Sequence, residues 1–227
     1  MFQTKGGTAL SEKKIYKPQF HKLISEWVSL LWQHLGVVVI LSAIGFFGSA
    51  PIITGGIIFI GLYNYTKLLV GKELALREDF TSAIKEKWKS ATALFLLIFI
   101  VLAIIVFDLY FFWNFTVRIF FWVGIWFAII FMMGAIYMFP MLADQDVGLK
   151  KIITRSFRMA LIDPLFSFVV ALFSLLWVAL CIVIIPMLAT LCLAGLGLWT
   201  NIAYREMVLK VDSILAQKDE KQDSDLE

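Results

Sequence analysis

Two stretches of this chain, between Glu26 and Lys67 and between Asp163 and Arg205, contain no Asp, Glu, Lys or Arg. Each is roughly twice the ~20 residues that one helix needs to cross a bilayer, so each reads as a hairpin of two helices. Gly48-Ser49-Ala50-Pro51 interrupts the first stretch and Pro186 the second; proline removes a helical hydrogen bond and clashes with the preceding turn. A third pair of apolar segments, Ser90 to Phe107 and Ile119 to Ala143, flanks a short connection from Asp108 to Arg118. Hydrophobic residues make up 61% of the sequence and charged ones 16%, a balance that no soluble core of this size requires. The expected fold is all-α: a polytopic membrane bundle of six transmembrane helices in three helical hairpins.

Threading the chain through six spans sorts its cations. Lys5, Lys13, Lys14, Lys17 and Lys22 precede span one, and Lys67 ends span two. Lys72, Arg77, Lys85, Lys87 and Lys89 fill the second gap, and Lys150, Lys151, Arg155 and Arg158 the fourth. Arg205, Lys210, Lys218 and Lys221 follow span six. Arg118 alone falls on the opposite side. The positive-inside rule makes the cation-rich side cytoplasmic, with both termini inside, in a cytoplasmic (inner) membrane. A polar segment precedes a first span that is too long for a signal sequence and has no small-residue cleavage site, so no cleaved signal peptide is expected. The net charge of +3 is an orientation signal. Its basic residues are split among loops and interleaved with acids, which argues against a nucleic-acid partner.

Before span one, Phe20, Leu23, Ile24 and Val28 recur at helical spacing around Lys22 and Glu26. A similar stripe, Phe80, Ala83, Ile84, Trp88 and Ala91, runs into span three, and Leu149, Ile152, Ile153, Phe157 and Ala160 run into span five. Each outward span is thus expected to follow an amphipathic helix lying in the cytoplasmic interface. The chain reads as three similarly oriented copies of one unit, or as three loops that are amphipathic for want of any other surface. Residues 1–17 read as a flexible lead, 18–212 as the transmembrane domain, and 213–227 as a disordered polar tail.

Chemistry-bearing residues are sparse. His34 lies about two turns inside the expected first span, a depth at which an ionisable group is a functional candidate; it has no ligand-type partner at i+3 or i+4 and can equally bond a neighbouring helix or headgroup. Asn64 and Lys67 share a face of span two, where Lys67 can snorkel to headgroups or meet a solute. Asp108 and Arg118 bracket the outer connection and form either a rim ion pair or a solute contact at an external mouth. Tyr110, Phe111, Phe112, Trp113, Trp122 and Trp126 resemble an interfacial aromatic belt. Cys181 and Cys192 flank Pro186 as two buried thiols or a disulfide. Gly124 with Ala128, and Thr190 with Ala194, have the small-xxx-small spacing of close helix packing. No nucleotide-binding glycine loop, HExxH or Gly-x-Ser-x-Gly pattern occurs, so no catalytic residue, metal or cofactor is assigned. None of the spans holds a mid-membrane acid, which counts against proton coupling while leaving room for a channel or sodium-coupled carrier.

Several passages together resemble the YesL-like family of bacterial inner-membrane proteins, whose molecular function is undefined. They are the tryptophan-bearing first span and its Gly/Pro turn, Trp32 to Gly56; Asp79-Phe80 leading to Ile84-Lys85-Glu86-Lys87-Trp88-Lys89; Phe139-Pro140-Met141-Leu142-Ala143-Asp144-Gln145-Asp146; and Leu149-Lys150 with Ser156-Phe157-Arg158-Met159-Ala160. The resemblance covers residues 18 to 212. It implies an accessory role beside a carbohydrate ABC importer, with the lipid bilayer, ABC transporter subunits or a homo-oligomer as partners. The expected function is that of a non-enzymatic accessory or regulatory component of a transport system. The alternative is a small transporter or channel in its own right, using His34, Asn64, Lys67, Asp108 and Arg118.

Overall fold

A computed structural model describes residues 16–48, 52–73, 76–113, 119–184 and 188–224. Among them every regular element is helical: α1 Phe20–Gln33, α2 Leu35–Gly48, α3 Ile52–Val70, α4 Arg77–Trp113, α5 Ile119–Asp144, α6 Leu149–Ile162 and α7 Pro164–Val183. A π-helical turn, Leu188–Cys192, then leads into α8, Leu193–Ser224. Three helices, α4, α5 and α7, are long and apolar enough to cross a membrane, and α1 with α2 makes a fourth candidate if the bent pair is one span. The all-helical architecture and several membrane-length apolar helices agree with the sequence.

The elements begin and end for local reasons. Pro164 opens α7 where its missing N–H forfeits no helical bond, and the Asp163 carboxylate caps the helix by accepting from the Phe166 N–H at 3.1 Å. The helices break near the expected positions: α2 stops at Gly48 and α3 starts at Ile52, while α7 stops at Val183 and helix resumes at Leu188. Pro186 itself, Ser49 to Pro51 and the outer connection at 114–118, Arg118 included, lie outside the described residues.

Several expectations need correcting. The first span is not one straight helix: α1 and α2 meet at His34 at 89°. Lys22, Glu26, Ser29 and Gln33 give α1 a polar side that α2 lacks, and a helix with a wet face cannot run on unchanged into hydrocarbon. His34 is therefore at a corner, half-buried, rather than two turns inside a span. The second stripe and third span are one continuous helix, α4, which carries Asp108 and the aromatic residues Tyr110 to Trp113 on helical backbone rather than in a turn. The third stripe, on α6, is set off from α7 by Asp163, so the three junctions differ in geometry.

The stripes also face protein. On α1 the buried residues are Leu23, Trp27 and Leu30, whereas Val28 is half exposed. On α4, Ala83, Ala91 and Leu94 are buried and Trp88 points outward. On α6, Ile152, Met159 and Ala160 are buried, and the Phe157 ring fills the space beside Gly134 of α5.

α3 is central, packed against α4, α5 and α8. Its closest approach is at Gly56, where an added Cβ would lie 2.6 Å from the Ala91 carbonyl oxygen and the Thr92 Cα. Trp27 anchors α1 through edge-on contacts to Phe173, Trp177 and Trp199, with its indole N–H on the Gly195 carbonyl at 2.8 Å. At the other extreme, only 17% of the most apolar stretches of α4 and α5 is buried. Phe107, Tyr110, Trp113, Trp122 and Trp126 are exposed there, a surface suited to lipid and not to water.

The C-terminal expectation fails over its described part. α8 continues through 213–224, where a disordered tail was expected. Met207, Val211 and Ile214 keep helical spacing on its inner side, and Ala216, Gln217, Lys218, Glu220 and Lys221 are good helix formers. Tyr16, at the end of the expected flexible lead, is held on α8: its N–H donates to Ser213 Oγ at 3.1 Å and its hydroxyl to Glu206 at 2.5 Å. Residues 1–15 lie outside the described residues.

Candidate functional site

The ends of α3 and α5 converge on the middle of α8, and polar side chains collect there. Lys67, in the last turn of α3, pairs with Asp144 at the end of α5 at 2.8 Å. Asp144 also accepts from the Tyr204 hydroxyl at 3.0 Å. The Gln145 amide donates to that hydroxyl at 3.2 Å and accepts from Arg155 at 2.7 Å. The chain of contacts thus runs Lys67, Asp144, Tyr204, Gln145, Arg155 and joins α3, α5, α6 and α8.

A second group ties α8 to the N-terminal side. Arg205 grips Glu26 of α1 with two bonds, at 2.9 and 2.6 Å, and donates to the Val70 carbonyl at 3.3 Å. This bidentate geometry is the strong form of an Arg–carboxylate contact. The hydrogen bonds that the guanidinium donates to Glu26 hold its pKa above its ordinary value. Glu206, the next residue, accepts from Tyr16, and that bond with partial burial pushes the phenol up to about 12. Lys210 pairs with the cap residue Asp163 at 2.5 Å, and Lys87 reaches Asp146 at 3.3 Å and the Leu142 carbonyl at 3.1 Å.

Between these groups lies a cavity of about 220 Å³ whose lining includes Lys67, Glu73, Asp144, Asn201, Tyr204 and Arg205. Asn201 is 3% exposed. Its amide nitrogen donates to the Tyr63 carbonyl at 3.1 Å and to Thr66 Oγ1 at 2.8 Å, while its Oδ1 is buried without a hydrogen-bond partner.

The sequence candidates do not converge. Lys67 is in the cavity. Asn64, three residues earlier, is turned toward α4 and donates to the Asp79 carbonyl at 3.0 Å, so it splices two helices. His34 sits at the α1–α2 corner. Asp108 is exposed and lines a separate cavity of about 260 Å³ between α4 and α5, with Phe112, Phe120 and Gly124. Arg118, its suggested partner, is outside the described residues. Cys181 and Cys192 are free thiols, both buried. Among the described residues no group of three or more His, Cys, Asp and Glu could hold a metal ion.

Glu26, Asp144, Asn201, Tyr204 and Arg205 are not among the site candidates that the sequence offers. A usable signal existed: Asn201, Tyr204 and Arg205 fall at i, i+3 and i+4, one face of a helix, at the end of an otherwise apolar run. No protein-family model, characterised protein or solved structure matches the chain.

Proposed function

We propose that the chain is a six-span protein of a bacterial cytoplasmic membrane, with both termini inside, and that it serves as a non-enzymatic accessory or regulatory component of a transport system. One observation carries the reading: every described ion pair lies at the end of the bundle that the charge distribution assigns to the cytoplasm, and none of them involves Asp108, the one charged residue described at the other end. The worked surface is therefore the inner one. In this threading α3 and the apolar first half of α8 supply the spans beyond the membrane-length helices. The importer-associated role comes from the YesL-like resemblance and rests on its sequence motifs.

Transport by the chain itself ranks second, because the cavity holding Lys67 includes neither His34, Asn64 nor Asp108. The two readings separate experimentally. A photo-crosslinker at the exposed Lys151 should capture a transport-system subunit in native membranes, and one at the exposed Val106 should not. Loss of that asymmetry would remove the docking reading, and solute flux through liposomes containing only the purified chain would install the alternative.

A further inference from the structure

The end of the α4–α5 pair remote from the ion pairs has one described charge, Asp108. It lies ~8 Å inside the end of α4 at Trp113. That places it on the hydrocarbon side of Tyr110 and Trp113, whose exposed rings mark an interfacial level. An acid at that depth is disfavoured unless a cation balances it. Among the described residues none does. No ion pair includes Asp108, and the nearest described cation on its own helix, Lys89, is ~28 Å back along α4. On α5 no charge is met before Asp144.

The surroundings of the carboxylate select the kind of cation. Asp108 is the only charged residue in the wall of the cavity of about 260 Å³ between the two helices. Phe112 and Phe120 stack at 5.4 Å one turn toward the helix ends, and Ile105 and Phe127 close the wall one turn the other way. Phe120, Val123 and Phe127 are exposed, so the cavity opens sideways toward lipid. A hard metal ion needs several oxygen ligands, and among the described residues no cluster of acids, His and Cys supplies them. Phenyl rings instead attract a weakly hydrated organic cation.

We propose that this cavity binds the ammonium group of an amphiphile, with the cation between Asp108 and the phenyl rings and the alkyl chain along the exposed face of α5. The same chemistry occurs on free amphiphilic amines and on phospholipid headgroups. The inference takes from the preceding reading only that these two helices stand in the membrane.

The test uses the full chain in dodecyl maltoside, titrated calorimetrically against protein-free micelles with octyltrimethylammonium and, separately, with octanol, which has the same chain and no charge. Octyltrimethylammonium should saturate and octanol should not. Asp108→Asn should weaken the cation roughly 10-fold, the loss of its countercharge. Phe127→Leu should weaken it roughly two- to fivefold, the loss of one cation–π contact, and it serves as the reporter if Asp108→Asn does not fold. Phosphatidylethanolamine added to the micelles should compete, and diacylglycerol should not, if the source is a lipid headgroup; saturation without such competition identifies a free amphiphile. Equal responses to the two probes, or an unchanged affinity in folded Asp108→Asn, overturn the proposal. So does binding that appears only in Arg118→Gln, because Arg118 would then be the natural countercharge. The crosslinking asymmetry does not depend on these results, so the two readings fail separately.

Discussion

Arg205 shows how one residue can be both topological marker and structural clamp. In the sequence it is the first charge after a long apolar run; in the structure it joins α8 to Glu26 of α1 and to the end of α3. Its side chain is 36% exposed and that of Glu26 30%, between the surface and buried limits for such pairs. Arg205→Met should therefore destabilise the protein by roughly 1–2 kcal/mol, since it strands a half-buried carboxylate. Adding Glu26→Gln should recover part of that loss, because both partners are then gone. Thermal unfolding of the two single variants and the double variant in detergent measures this, and strict additivity would show that the pair is not coupled. Lys67 was legible as a polar group at a span end, but its partner Asp144 lies 77 positions away in sequence. No local pattern could have paired them.

At the scale of elements, apolar length was legible and bending was not. Helix existence followed from hydrophobic runs, and breaks followed from Gly/Pro positions, because both are set by local chemistry. The 89° corner at His34 arises where a helix with one wet side meets one with none, and the direction of the turn depends on what Trp27 packs against. Similarly, a stripe of helical spacing fits a membrane surface or a neighbouring helix equally well. Only the partners showed that the stripes of α4 and α6 face α3 and α5. The closeness of α3 and α4 rests on Gly56, inside α3 and beyond the Gly48–Pro51 break. Gly56→Ala would set a methyl group 2.6 Å from the backbone of Ala91 and Thr92, and neither atom belongs to a side chain that can swing away. The substitution should cost roughly 1–3 kcal/mol, as overpacking does. Gly36→Ala, where an added Cβ meets nothing within 4 Å, is the control in the same unfolding assay. Equal effects at the two positions would refute the close approach.

For the whole molecule, the six-span threading predicts that both termini and the cation-rich loops share one side of the membrane. Tags fused to either end should resist protease added to intact cells, and a cysteine introduced at 114–118 should react with an impermeant reagent. Termini on opposite sides would require an odd number of crossings and would discard the threading. The sequence by itself determined that this is an all-helical chain with several membrane-length apolar segments. Those properties follow from composition and from the cost of placing charge or unpaired backbone in hydrocarbon, which act on each segment separately. Tertiary structure alone decided which polar residues meet. Asn64 became a splice between two helices, Lys67 and Asp144 a cross-bundle pair, and Asn201 a buried tie from α8 to Tyr63 and Thr66 of α3. Such outcomes depend on helix azimuth and crossing, which are set by packing over long sequence separations and leave no periodic trace in any one segment.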